Sequence, residues 1–260
     1  MTRSIFDGVA SFIKSSRGGS PLIDSRKRET FVYREFFESL VAAVFIALIL
    51  RMFVIAAYKI PTGSMIPTLK VGDCIFAWKL PYGLHIPFSK VVLFKPQIPD
   101  RGDVVVFKFP EDESISYVKR VVGIPGDKIE IRQKRLFIND KMASYAPLTE
   151  NESVNVRDFA AQDLYIVEKE VIGGRSHFVT YRRGEDDDAY GPIVVPDGKL
   201  FVLGDNRDAS DDSRSHWGMV PMENLEGRPI LIWLSLNWEK RFRDTSLPTI
   251  RTERLFSRIQ

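Results

Sequence analysis

Leu40-Val-Ala-Ala-Val-Phe-Ile-Ala-Leu-Ile-Leu50, Arg51, Met52-Phe-Val-Ile-Ala-Ala57, then Lys59-Ile60-Pro61-Thr62-Gly63-Ser64-Met65-Ile66-Pro67-Thr68: an apolar run passes almost directly into a turn that contains two prolines, a glycine and a serine. From Ser39 to Tyr58 there are twenty residues, and only Arg51 among them is charged. A helix needs about twenty apolar residues to cross a bilayer. A charge at its centre costs roughly 2.5–3.5 kcal/mol, and less towards an end, where a long side chain reaches the headgroups. Arg51 stands two-thirds of the way along and can snorkel. The core helix of a soluble protein rarely runs this far without a polar face. The stretch therefore predicts a transmembrane helix, with the turn holding Ser64 close outside the lipid.

The flanks set the expected orientation. Arg17, Arg26, Lys27, Arg28 and Arg34 precede the run, and such a basic arm stays cytoplasmic under the positive-inside rule. The run starts too far into the chain, is too long and has no clearly set-off cleavage site for a removable signal peptide. It reads as a signal anchor. The expected organisation is a cytoplasmic arm over 1–34, a transmembrane anchor over 35–58 and an extracytoplasmic domain over 59–260. That last part is long enough for one domain with its own core. A bacterial plasma membrane suits this layout, and the lipid bilayer is then a partner.

A formal charge of +3 and a hydrophobic content of 44% favour neither nucleic-acid binding nor disorder. The single cysteine, Cys74, excludes an intramolecular disulfide. There is no Cys/His spacing of the kind that holds zinc, and His85, His177 and His216 are scattered. No metal, cofactor or nucleic acid is expected. The acidic run Gly184-Glu-Asp-Asp-Asp188 reads as a solvated loop rather than a calcium site.

Beyond the anchor the chain reads as mainly β. Val104–Phe109, Ser116–Val122, Lys128–Arg132, Arg135–Ile138, Phe178–Tyr181, Lys199–Leu203 and Ile230–Leu234 are short, rich in β-branched and aromatic residues, and bounded by Gly, Pro or Asp. An antiparallel, barrel-like β domain is the expected architecture. Residues 140–195 give the weakest signal.

For Ser64 to act as a nucleophile it needs a base. His216, in Ser215-His216-Trp217-Gly218, is one candidate. Lys119 is the other, on a predicted strand among Tyr117, Val118, Val121 and Val122. Apolar surroundings depress a lysine pKa, and only the neutral amine accepts a proton. A lone lysine is more often a surface charge, so periodicity alone leaves the choice open.

Four blocks resemble those of the type I signal peptidases, membrane-bound Ser–Lys proteases that remove signal peptides from exported proteins. They are Ile60–Leu69; Gly72-Asp73 with the strand after it; Arg101–Phe107 with Tyr117–Asp127; and Gly204–Arg214 followed by Trp217-Gly218. The order, the spacing and the preceding anchor all agree, over the anchor and about half of the domain. The resemblance implies Ser64 as nucleophile and Lys119 as general base. It implies an oxyanion hole from the Ser64 N–H and the Thr62 hydroxyl, where typical members carry serine in place of Thr62. Ser210 would hydrogen-bond and orient the lysine amine, and Asp212 and Arg214 would form a supporting ion pair. Ile60, Met65, Leu69, Tyr117 and Val118 would line shallow pockets for small side chains one and three residues before the cut. Tyr58–Pro61 would pair with an extended substrate. Phe76, Trp78 and Trp233 would meet the lipid interface. Signal peptides of exported preproteins are the implied substrates, and contact with the export machinery is compatible with this place in the cell.

Two other readings stand beside this one. Repressor-type Ser–Lys autoproteases carry a DNA-binding helix-turn-helix ahead of the catalytic part, for which the first thirty residues leave no room. A non-catalytic anchored β domain would keep Ser64 and Lys119 beyond proton-transfer reach.

Overall fold

The computed structural model describes residues 25–83, 97–149, 152, 156, 165–184, 189–241 and 247–259. Internal contacts divide the chain into Met1–Ile49 and Leu50–Gln260.

The described part of the first unit is helix α1 (Ser25–Phe53), whose last residues belong to the second. Its segment Tyr33–Phe53 has 21 residues with a mean hydropathy of 2.1 and no part buried. A helix that is apolar on every face needs an apolar surround, and this one is long enough to cross a bilayer. It ends earlier than the sequence suggested. Ile55–Lys59 is strand β1, paired antiparallel with β2 (Asp73–Trp78) from Ile55 opposite Trp78 to Lys59 opposite Cys74. No glycine, proline or charge marks the change from helix to strand in Phe53-Val-Ile-Ala-Ala57. Hydropathy therefore runs straight through it, and the ladder with β2 decides the boundary.

The second unit is mainly β and antiparallel, as expected. Its strands continue as β3 (Val104–Phe109), β4 (Asp112–Gly123), β5 (Lys128–Arg132), β6 (Arg135–Ile138), β7 (Lys141–Met142), β8 (Ser144–Ala146), β9 (Tyr165–Ile172) and β10 (Arg175–Arg182). Then come β11 (Tyr190–Val194), β12 (Lys199–Leu203), β13 (Val220–Pro221), β14 (Leu225–Arg241), β15 (Pro248–Ile250) and β16 (Ser257–Arg258). One sheet runs β1-β2-β14-β3-β4-β12-β13, with β15 and β16 added to β14. Two smaller sheets run β10-β9-β8 and β11-β5-β6-β7. Five of these strands, β7 to β11, fall in the stretch 140–195, where only Phe178–Tyr181, in β10, was expected from the sequence.

The run Val104-Val-Val-Phe107 is continuously apolar because both faces of β3 are covered. Val104 and Val106 pack with Ile60, Met65, Leu69, Ile75, Ala77 and Ile232. Val105 and Phe107 pack on the other side with Val121, Leu200, Val202 and Trp217. A third cluster gathers Val122, Ile129, Leu136, Ile172, Phe201 and Leu203 around β5, β6 and β12. Ser64 lies in the turn that leaves β1, and Lys119 lies on β4 opposite Val105. The sheet thus brings together two residues that are 55 positions apart.

Candidate active site

The Ser64 turn is fixed from below by its own apolar residues. Met65 and Leu69 are 1% and 0% exposed in the cluster under β1. Ile66 N donates to Gly63 O at 3.1 Å and Leu69 N to Met65 O at 2.9 Å. Pro61 and Pro67 restrict the backbone at either end.

The turn is also held from the side by the loop after β12. Asn206 N donates to Ser64 O at 3.0 Å, and Asn206 Nδ2 donates to Gly63 O at 3.1 Å. A Cβ on Gly204 would lie 2.5 Å from Ser64 O and 2.2 Å from Ser210 Oγ. Glycine is what permits this approach. Gly204→Ala should therefore push the two segments apart. Overpacking of this kind costs about 1–3 kcal/mol, and kcat/KM should fall at least about tenfold if Ser64 shifts by as little as ~1 Å. Steady-state kinetics beside a thermal melt would check both effects.

Lys119 Nζ and Ser64 Oγ are 2.7 Å apart and hydrogen-bonded. Lys119 is 3% exposed, with its amine 5.5 Å from the centre of the Tyr117 ring. Burial pulls its pKa down from the ordinary lysine range to about 8. The carboxylates of Asp212, Asp211 and Asp205 oppose that fall, and the Arg214 guanidinium adds to it. The amine is thus neutral in a large fraction of molecules at mildly alkaline pH.

Asp212 is wholly buried. Its carboxylate accepts Arg214 Nε at 2.8 Å, Arg214 Nη2 at 2.9 Å and Gly204 N at 3.0 Å. Arg214 Nη2 also donates to the carbonyl of Arg207. The pair therefore ties both ends of the loop that packs on Ser64. Beneath it is a second pair, which the sequence did not single out. Arg120 and Asp205, each 1% exposed, meet through two 2.7 Å hydrogen bonds.

Ser210 departs from expectation. Its hydroxyl is buried and makes no hydrogen bond among the described residues. It packs against Gly204, while the lysine amine is engaged by Ser64.

A cleft of about 360 Å³ opens over the pair. Tyr58, Lys59, Ile60, Pro61, Thr62, Met65, Tyr117 and Val118 line it, as do Ile115, Ser116, Ala209 and Asp211, which the sequence did not identify. Leu69 is a correction. It is 0% exposed and lies in the core cluster rather than in the cleft, because the turn points it inward beside Met65. His216 is not part of the cleft lining; its side chain is 75% exposed and pairs with Glu111. His177 is buried against Glu170, and His85 and the acidic run 185–188 lie outside the described residues. Among the described residues no group of three or more His, Cys, Asp or Glu could hold a metal ion.

A serine hydroxyl hydrogen-bonded to a buried amine of depressed pKa, both lining a largely apolar cleft, is an arrangement in which the neutral amine can accept the hydroxyl proton. A family model described as "Signal peptidase, peptidase S26" matches residues 33–234. The signal peptidase I of Pseudomonas fluorescens is 37% identical over 240 residues, which are 87% of this chain and 81% of that one. The signal peptidase I of Rickettsia typhi is 37% identical over 231 residues, 82% of this chain and 84% of that one. A solved signal peptidase I from Enterococcus faecalis aligns at 27% identity and a TM-score of 0.33, over 50% of this chain and 95% of that one. The chain belongs to the signal peptidase family, peptidase S26. It is a serine peptidase, a hydrolase of peptide bonds.

Proposed function

We propose that this chain is a membrane-anchored endopeptidase that cuts signal peptides from exported preproteins, after small residues of the Ala-X-Ala type, with Ser64 and Lys119 as its catalytic dyad. The observation that carries the reading is the 2.7 Å contact between a serine hydroxyl and a lysine amine that is almost fully buried. A non-catalytic β domain has no use for so costly an arrangement.

In the proposed mechanism, Ser64 Oγ attacks the scissile carbonyl as its proton passes to Lys119 Nζ. The Ser64 N–H and the Thr62 hydroxyl, exposed in the same cleft, donate to the oxyanion where charge develops. The C–N bond breaks as Lys119 returns the proton to the leaving amine. Water, deprotonated by the same lysine, then hydrolyses the acyl-enzyme. The Asp212–Arg214 pair braces the loop, and Ser210 acts as a positioning residue on Lys119 once the Ser64 proton has moved. The substrate lies extended along Tyr58–Pro61, with Ile60, Met65, Tyr117 and Val118 as the apolar surface for its small side chains. No metal or cofactor takes part in these steps.

The same reading makes α1 a signal anchor in a bacterial inner membrane, with residues 1–34 cytoplasmic and the catalytic domain outside. Trp78, 46% exposed, and the stacked pair Phe76–Trp233, with ring centres 5.6 Å apart, would meet the lipid interface. The export machinery is a natural neighbour for an enzyme placed there.

The test is cleavage of a preprotein by the full chain in detergent. kcat/KM should rise with pH through an apparent pKa near 8, set by the lysine that must lose its proton. A flat profile from neutral to alkaline pH would remove Lys119 as the base, and processing by Ser64→Ala at the wild-type rate would remove the dyad.

A further inference from the structure

The strand β14 is irregular beside the cleft. Leu225 pairs with Phe107 and Gly227 with Val106, so two steps along β14 oppose one step along β3. Glu226 is the extra residue of this β-bulge, and a bulge re-aims the side chain that it carries. The next residue accommodates the distortion: a Cβ on Gly227 would sit 3.1 Å from Trp78 O and 3.2 Å from Ala77 Cβ. The Glu226 carboxylate accepts the hydroxyl of Ser116, on β4, at 2.6 Å. Tyr58, on β1, stands near the same carboxylate, which adds to burial in pushing the phenol's pKa up. Tyr58 and Ser116 both line the cleft. Their strands are not neighbours, because β2, β14 and β3 lie between them in the sheet. One carboxylate on the middle strand therefore holds one wall of the groove by a hydrogen bond and stands near the other.

The position along the groove matters as much as these contacts. Ser116 precedes Lys119 by three residues on the same strand, which is roughly 10 Å at the usual strand rise. An extended peptide beside β4 reaches this level about three residues from its reacting carbonyl. The donor that Glu226 accepts, the Ser116 hydroxyl, is neutral, and among the described residues no ion pair of Glu226 is seen. Glu226 is half-buried behind the lining residue Ser116, whereas Asp211, which lines the cleft itself, accepts Trp217 Nε1 at 2.8 Å.

We infer that Glu226 is a specificity-determining residue, which selects peptides by charge at the end of the groove remote from Ser64, disfavouring an acidic side chain there. The inference rests on the cleft being the peptide groove of the proposed function. It adds a charge filter to the size filter of the small-residue pockets.

The experiment is a competition. The full chain in detergent receives paired peptides that differ only by Lys or Asp at one of the positions three to five residues before the cut. The ratio of their kcat/KM values is read in one tube, so it does not depend on how much enzyme is active. At one position the wild type should prefer Lys to Asp about tenfold, as expected for a charge a few ångströms away in a half-buried groove. Glu226→Gln should bring that ratio close to one, and 1 M salt should lower it in the wild type. A wild-type ratio near one at every position overturns the inference, and so does a ratio that Glu226→Gln leaves intact. If Glu226→Gln does not fold, a wild-type preference unmoved by 1 M salt overturns it. Failure of the dyad is a separate outcome, since Ser64→Ala would then cut both peptides.

Discussion

Lys119→Ala is expected to lower kcat for preprotein cleavage by about 10²–10⁴, the range that a positioned general base supplies. Ser64→Ala should lose at least as much. The double variant should be no worse than Ser64→Ala alone, because residues that act as one unit are not additive. Lys119→Arg is the sharper control. It keeps the positive charge and most of the length, but guanidinium does not deprotonate in proteins. If the lysine served only to hold the turn by charge, the arginine variant would retain activity. If it takes the proton from Ser64 Oγ, 2.7 Å away, the arginine variant should be as inactive as the alanine one at every pH. Single-turnover rates for the four enzymes, across the pH range in which the wild type gains activity, separate the two cases.

The reason to expect so large an effect is the imbalance at the amine. Burial pulls the pKa down to about 8 although three carboxylates, on Asp212, Asp211 and Asp205, pull the other way. Desolvation therefore dominates, and the fold supplies it through β4. Tyr117 and Lys119 share a face of that strand, since successive side chains alternate, and Val105 stands opposite Lys119 on β3. A methyl group in place of the amine would leave the Ser64 hydroxyl in the same turn with nothing to receive its proton.

How much of this could be read from the sequence differs between residues for identifiable reasons. Ser64 was visible because Pro61, Gly63 and Pro67 mark a turn whatever lies around it. Lys119 could not be told from a surface lysine by periodicity. Its burial comes from strands brought in from distant parts of the chain, and resemblance to a family had to supply what spacing did not. The end of α1 was misplaced because one apolar run serves a helix and then β1, and hydropathy does not record the change. Leu69 was assigned to the cleft because an apolar residue in a motif looks the same whether it points out or in. Glu226 left no trace, because a bulge is a mismatch between two strands and exists only once they are paired. Arg120 was hidden by its neighbour: in Lys119-Arg120 both look like charges on a strand, yet the pleat sends one to Ser64 and the other to Asp205.

That last pair carries the second large expectation, and it concerns stability. Asp205→Ala should destabilise the catalytic domain by about 3–5 kcal/mol, because it removes the buried carboxylate that pairs with the Arg120 guanidinium. For a domain of this size that is a fall in Tm of roughly 10 °C or more. Arg120 would keep its 2.7 Å bond to Gly102 O and its weaker contact with Thr68. Replacing both partners together, with Arg120→Met and Asp205→Leu, should cost less than the single change, since neither charge is then left buried. The same pair gives a pH dependence with a definite sign. Burial by itself would raise the Asp205 pKa, but the charge and hydrogen bonds of Arg120, the nearby His177 and the Thr68 hydroxyl outweigh it and hold the carboxyl below the ordinary aspartate range. A carboxylate whose pKa is lower folded than unfolded adds stability above the unfolded value, near 3.9, and loses it as pH falls through the folded value. The contribution should therefore be constant from neutral pH down to about 4 and vanish only in stronger acid. Urea melts of wild type and Asp205→Ala between pH 7 and pH 3 test this directly. A gap between the two curves that stays constant down to pH 4 and narrows below it fits an ion pair, whereas a gap equal at every pH would mean that Asp205 acts by packing alone. The loop that Asp205 anchors begins at Gly204 and carries Asn206, whose N–H holds Ser64 O, so the loss of this pair should also cost activity at temperatures well below the melt.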